Sequence, residues 1–207
     1  MKPSHISSIL ALALLSAPSA ALAQVGANDG LLNPNLATEQ ELTAIPGFGA
    51  AVVSEILENR PFLRMSALHE VVSRHVSEAE IESVYRALWV PIDLNDVTDE
   101  EILLIPGVGS RMLHEFEEYR PYAALAQFQR EIGKYVDDAE LARLAQYVYV
   151  RIDLNGASAE DILSIPGVGN RMLHEFEEYR PYGATEQFRR EMGKYVDEGE
   201  VARLERY

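Results

Sequence analysis

The chain has 207 residues, with 18 Lys or Arg against 33 Asp or Glu, no cysteine, and a formal net charge of −15 at pH 7. The lack of cysteine excludes disulfides and thiolate metal sites, so stability rests on apolar packing. The acid excess repels any polyanionic partner at long range unless the basic residues gather on one face.

The N-terminus reads as a targeting segment. Lys2 precedes an apolar run from Ile6 to Leu15, and Ala21-Leu22-Ala23 has the small-x-small pattern of a signal-peptidase site. Residues 1–23 are therefore expected to be a secretory signal peptide, too short for a membrane span. Cleavage after Ala23 would start the mature chain at Gln24. Loss of Lys2 would leave 17 basic residues against 33 acidic ones, a charge of −16. No Cys lies near that site to carry a lipid, and no later segment is apolar enough to cross a bilayer. The mature protein is expected to be periplasmic or secreted, with no membrane insertion after cleavage. Residues 24–30 read as a flexible leader.

From there a repeat governs the chain. Ile45-Pro46-Gly47-Phe48-Gly49, Ile105-Pro106-Gly107-Val108-Gly109 and Ile165-Pro166-Gly167-Val168-Gly169 are spaced by 60 residues (106 − 46 and 166 − 106). Asn35, Asn95 and Asn155 keep the same register, as do Arg60-Pro61, Arg120-Pro121 and Arg180-Pro181. A fixed period means one supersecondary unit used three times. The units are 31–90, 91–150 and 151–207. Each is near the lower size limit for an independent core, so stacking is expected. Each is also acidic.

Within a unit the punctuation predicts two helical pairs. Thr38-x-x-Glu41, Thr98-x-x-Glu101 and Ser158-x-x-Asp161 have capping-box character, the third weaker because Asp is shorter than Glu. A short helix follows, and the Pro-Gly-x-Gly turn ends it. A second helix is predicted over Ala50 to Asn59, Ser110 to Tyr119 and Asn170 to Tyr179. In the second unit its apolar residues Met112, Leu113, Phe116 and Tyr119 recur at helical spacing. Arg-Pro terminates it, since proline restricts the residue before it and cannot continue the ladder. A third helix, around Leu125 to Ile132, meets Gly133-Lys134-Tyr135-Val136. A fourth starts at Asp137-x-x-Glu140, with Ser77-x-x-Glu80 and Asp197-x-x-Glu200 as its counterparts. This second turn lacks the second glycine. The apolar links Trp89 to Ile92 and Tyr149 to Ile152 predict a stiff array.

These residues resemble the helix-hairpin-helix family, specifically the competence protein ComEA type. The resemblance rests on Ile92-Asp93-Leu94-Asn95, Glu100-Glu101-Ile102, Ile105 to Gly109, Glu118-Tyr119-Arg120 and Pro121-Tyr122. It extends to the third unit at Ile152 to Asn155 and Glu178 to Tyr182, and covers nearly all of 31–207. It implies an all-α fold of three tandem helix-hairpin-helix units with short extended links. It also implies sequence-independent DNA binding through hairpin amides, with a nearby basic side chain helping, in the setting of DNA uptake. The implied contacts are Gly107, Val108, Gly109, Ser110 and Arg111; Gly167, Val168, Gly169, Asn170 and Arg171; and Gly47 and Gly49. The usual basic position is Val52, Met112 or Met172 here. Arg111 and Arg171 stand one residue earlier, where the first unit has Ala51. A related fold in an acidic extrinsic subunit of photosystem II binds protein, so fold alone does not choose the partner.

Two readings of the hairpins therefore stand. The glycines serve a tight interhelical turn, or they also expose amides to an anion. Arg111 and Arg171 contact phosphate, or they pair with Glu115 and Glu175 at i,i+4. The partner is DNA or an unidentified protein. No zinc helix is expected, because Glu118 and Glu178 stand where a second histidine is required after His114-Glu115 and His174-Glu175. No nucleophile–base pair or phosphate loop is present in the sequence, so neither an enzyme nor a cofactor is expected. Tyr122, Phe128, Tyr135 and their repeats fall at positions expected in the core.

Overall fold

A computed structural model describes residues 25, 26 and 30–207. The expected signal peptide lies outside the described residues. Twelve helices are present among the described residues, four to each unit. In unit 1 they are α1 (Glu39–Thr43), α2 (Ala50–Glu58), α3 (Met65–Val72) and α4 (Glu78–Tyr85). Unit 2 carries β1 (Ile92–Asp93), α5 (Asp99–Leu103), α6 (Ser110–Glu118), α7 (Leu125–Ile132), α8 (Asp138–Ala145) and β2 (Val148–Tyr149). Unit 3 has α9 (Ala159–Ser164), α10 (Asn170–Glu178), α11 (Thr185–Met192) and α12 (Glu198–Glu205). The chain is a tandem array of helical pairs, in which α1 packs on α2, α5 on α6, α7 on α8, α9 on α10 and α11 on α12. No helix among the described residues is long and apolar enough to cross a membrane.

The helix starts follow from the local sequence. All three expected capping boxes form. The expected weakness of the third is corrected. Asp161 Oδ2 accepts the Ser158 amide at 2.9 Å, while the Glu101 carboxylate meets the Thr98 amide only at 3.5 Å. The reason is that Glu101 has a second task. It is 2% exposed, and its Oε1 accepts from the amide and hydroxyl of Ser66 at 2.9 and 2.8 Å. It thereby caps α3, whose N-cap Arg64 makes no side-chain cap bond. One carboxylate joins the start of α5 to the start of a helix in the preceding unit.

The register-marking polar residues tie each unit together. The side chain of Asn95 donates to the Tyr122 carbonyl at 2.9 Å and accepts the Tyr122 amide at 2.7 Å. Asn35 does the same to Phe62, and Asn155 to Tyr182. Arg120 donates to the carbonyls of Leu94 and Val97 at 2.7 and 3.2 Å. Arg60 and Arg180 repeat this on Pro34 and Ala37, and on Leu154 and Ala157. The Arg-Pro peptide is cis in all three units. Buried backbone groups between the helical pairs thus find side-chain partners, as burial demands.

Each unit also closes on itself. β1 and β2 pair in parallel, Ile92 opposite Val148 and Asp93 opposite Tyr149. Leu32 and Leu88 bridge in the same sense in unit 1, and the Ile152 amide donates to the Tyr207 carbonyl in unit 3. The link from Trp89 to Ile92 is buried throughout, while in the second link Tyr149 and Val150 are buried, Arg151 is exposed and Ile152 is half-buried. Trp89 packs edge-on against Tyr85 and Tyr147, and its indole N–H donates to the Tyr147 carbonyl at 2.9 Å. One apolar cluster runs through units 1 and 2, and a second fills unit 3. Burying a single large apolar side chain is worth about 1.5–3 kcal/mol, so two units sharing a core gain what neither gains alone.

Two arrangements differ from the sequence reading. The expected leader is partly docked: Val25 is buried in the unit 3 cluster and bridges Tyr149, and a Cβ on Gly26 would strike the Ala145 carbonyl. Val25 is thus held at Tyr149 by an isolated antiparallel bridge and by apolar burial. Unit 3 also meets unit 1. A Cβ at Gly199 would lie 3.2 Å from Pro61 Cδ, and one at Gly167 would lie 3.0 Å from Leu36 Cδ1.

Candidate anion-binding hairpins

The three Pro-Gly-x-Gly turns are built identically. Gly47, Gly107 and Gly167 have φ of 86°, 79° and 81°, the left-handed region that favours glycine. Val108 and Val168 turn inward and are buried, and Phe48 is half-buried, which anchors each turn. The second glycine is different. Gly49, Gly109 and Gly169 are N-caps with φ of −100°, −116° and −115°, a region open to any residue. A Cβ there would meet nothing within 4 Å. Neither dihedral strain nor internal crowding demands glycine at this position.

The amides beyond it are open. In α6 the first backbone bond is Leu113 N–H to the Gly109 carbonyl at 3.0 Å, which leaves Ser110, Arg111 and Met112 without an acceptor. The same holds for 50–52 in α2 and 170–172 in α10, where Val53 and Leu173 make the first bonds. None of these three helices has a side-chain cap or an acidic residue in its first turn. Gly107, Gly109, Ser110 and Arg111 are exposed, as are Gly167, Gly169, Asn170 and Arg171. Gly47 and Gly49 are exposed too, but Ala51 brings no charge.

Arg111 and Arg171 do not pair with Glu115 and Glu175. Among the described residues, they are the two basic side chains with no hydrogen bond and no ion pair. Every other described Lys or Arg is engaged. Lys134 and Lys194, in the second turns, are bound to Glu131 and Glu191 and lie over the rings of Tyr119 and Tyr179 at 5.2 and 4.8 Å. The hydrogen bond that Lys134 donates to Glu131 raises the Lys134 pKa above its ordinary value, so the charge is held by its neighbour. Arg189 is clamped by Glu205, and Arg190 by Glu191.

Glu115 and Glu175 are instead buried beside Tyr135 and Tyr195. These two tyrosines depart from their expected place in the core: Tyr135 is 39% and Tyr195 36% exposed. Their hydroxyls bond Tyr119 and Tyr179 at 2.8 Å, so each ring spans the two hairpins at the surface. Tyr122, Phe128, Tyr182 and Phe188 are core residues in edge-to-face pairs, as expected. Motif reading does not single out Arg143 and Arg203, which approach the turns from α8 and α12. The signal that finds them is the 60-residue register, which places Ser83 at the same position in unit 1.

A cleft of about 430 Å³ in unit 3, lined among others by Tyr182, Phe188 and Tyr207, includes none of residues 166–171. Gripping a phosphate backbone needs convergent donors rather than depth. No family model matches the chain, and no significant match was found among curated proteins or solved structures.

Proposed function

We propose that this is an exported, non-catalytic module that binds the DNA backbone without regard to sequence, in the manner of ComEA-like competence proteins, with unit 2 and unit 3 as the binding units. The observation that carries the reading is the state of Arg111 and Arg171. In a chain where every other described cation has a partner, the two free ones stand in the first turns of α6 and α10, beside uncapped amides. Amide donors and the helix dipole favour an anion at such an end, and a guanidinium adds a charge-assisted bond. The exposed Gly109 and Gly169 let a phosphate approach the main chain. The signal-like segment at 1–23 supports a periplasmic or secreted setting, where DNA taken up from outside would be met.

The net charge sets the strength. With two contact points and a mature charge of −16 opposing them, affinity for duplex DNA should be no better than roughly micromolar at physiological salt. Fluorescence anisotropy on labelled duplexes of unrelated sequence, across a salt series, tests this. Equal affinities that fall as salt rises are expected. An absence of binding at low salt would overturn the reading. The acid excess would then favour the second reading, an acidic protein-interaction module that retains the fold without DNA.

A further inference from the structure

Three copies of one unit in one chain permit a comparison position by position. At 51, 111 and 171 the residues are Ala, Arg and Arg; at 83, 143 and 203 they are Ser, Arg and Arg. The unit that lacks the exposed arginine lacks the second one as well. Arg143 and Arg203 belong to the second helical pair, yet both reach back to the first turn of their own unit. Arg143 Nη2 lies 3.5 Å from where a Cβ on Gly107 would stand, and Arg203 Nη2 lies 3.3 Å from that point on Gly167. Around Gly47 nothing lies within 4 Å.

Both guanidiniums are fixed in orientation. Glu140 takes Arg143 Nε and Nη2 at 2.7 and 2.6 Å, and Glu200 takes Arg203 at 2.7 and 2.7 Å. Arg203 is 1% exposed. The third nitrogen, Nη1, is buried without a hydrogen-bond partner in both residues. A buried unpaired donor opposes stability, a cost that the Arg143 guanidinium offsets in part by lying over the Tyr147 ring at 5.5 Å. The carboxylates hold the guanidiniums, and the guanidiniums lie against the left-handed glycine from which the open amides follow.

We propose that Arg143 and Arg203 are positioning residues for anion binding. They brace the Gly107 and Gly167 turns from behind and fix the direction of the amides at 109–112 and 169–172. They touch no phosphate themselves. Unit 1, with Ser83 and Ala51, is a structural copy without this device. The inference rests on the DNA reading above and deepens it.

The test uses the mature chain carrying Arg171→Glu, so that binding reports on the unit 2 hairpin alone. Into it go Arg143→Met, in the same unit, or Arg203→Met, in the silenced one. Both remove one carboxylate-held guanidinium and one charge from equivalent positions. Anisotropy on labelled duplex DNA at low salt should show a loss of roughly fivefold to tenfold for Arg143→Met, with less than about a twofold change for Arg203→Met. The salt slope should be unchanged, because no phosphate contact is removed. Equal effects of the two, or none, would overturn the brace. If Arg143→Met fails to fold, Glu140→Gln replaces it. That change makes the chain less negative and would tighten binding on charge grounds alone, whereas loosening the clamp weakens it, and tightening overturns the proposal. The DNA reading is checked separately with Arg111→Glu. If the parent protein does not bind, both ideas fall. If Arg111→Glu abolishes binding while Arg143→Met leaves it intact, only the brace falls.

Discussion

The two helical pairs of each unit share one plan and differ at the turn. At the second turn of units 2 and 3 the chain supplies its own anion. Asp137 and Asp197 cap α8 and α12 by accepting the amides of Glu140 and Glu200 at 2.9 and 2.8 Å. Further acids, Asp138, Glu140, Glu198 and Glu200, fill the first turns. At the first turn nothing of the kind occurs, in a chain with 33 acidic residues. A carboxylate at a helix N-terminus satisfies the amides and repels any other anion, while an empty one leaves both attraction and room. The comparison teaches that similar turns can be closed or open, and that the placement of acids decides which.

The largest effect should come from cutting the tie between the two pairs. Asn95→Ala leaves the Tyr122 amide and carbonyl without their partners. A loss of about 2–4 kcal/mol is expected in chemical denaturation. A loss near zero would mean that the clamp is incidental to the unit.

Next comes the contrast between the two glycines of one turn. Gly107→Ala forces a side chain to φ of 79° and should cost about 1–2 kcal/mol. Gly109→Ala, at φ of −116° with open space around it, should cost less than about 1 kcal/mol as a change of cap residue. Thermal melts of the two variants decide. Similar destabilisation by both would remove the argument that Gly109 is free to serve a ligand.

Much of this was legible in the sequence because its signals are local. The caps and the Pro and Gly punctuation put α2, α6 and α10 within a residue of their ends, and α7 at its observed bounds. The repeated Asn and Arg-Pro residues marked the register, but their roles depend on partners 23 to 27 residues away. The same limit hid Glu101 serving Ser66, the pairing of Ile92 with Val148, and the docking of Val25. At the candidate site, the residues of the turn were visible. Whether Arg111 would fold back on Glu115 was not, because i,i+4 spacing permits a pair without requiring it. Tyr135 was misplaced because a ring that spans two hairpins at the surface has the same periodicity as one in the core.

A smaller effect separates the turns by pH. Hydrogen bonds from Lys134, Lys194 and Arg143 hold Glu131, Glu191 and Glu140 below the ordinary carboxylate value of 4.5. A lowered folded pKa gives stability that is complete above the unfolded value and is lost as pH falls through the folded one. The melting temperature should therefore drop as pH is lowered from about 6 toward 3. Replacing Lys134 and Lys194 with Met should shallow that drop slightly, since exposed pairs are screened. An unchanged acid limb would show that these pairs contribute nothing. Arg111→Met with Arg171→Met should leave it unaltered, because neither arginine holds a carboxylate.

The most direct test of the contrast between open and closed turns is a matched charge reversal. Arg111→Glu with Arg171→Glu changes the first turns, and Lys134→Glu with Lys194→Glu changes the second turns by the same net charge. Binding to labelled duplex DNA is then compared at one low salt concentration. Binding should vanish in the first pair and weaken only modestly in the second, because the second-turn lysines are already bound to Glu131 and Glu191. Equal losses would show that only total charge matters, and the open first turn would then be a turn and nothing more.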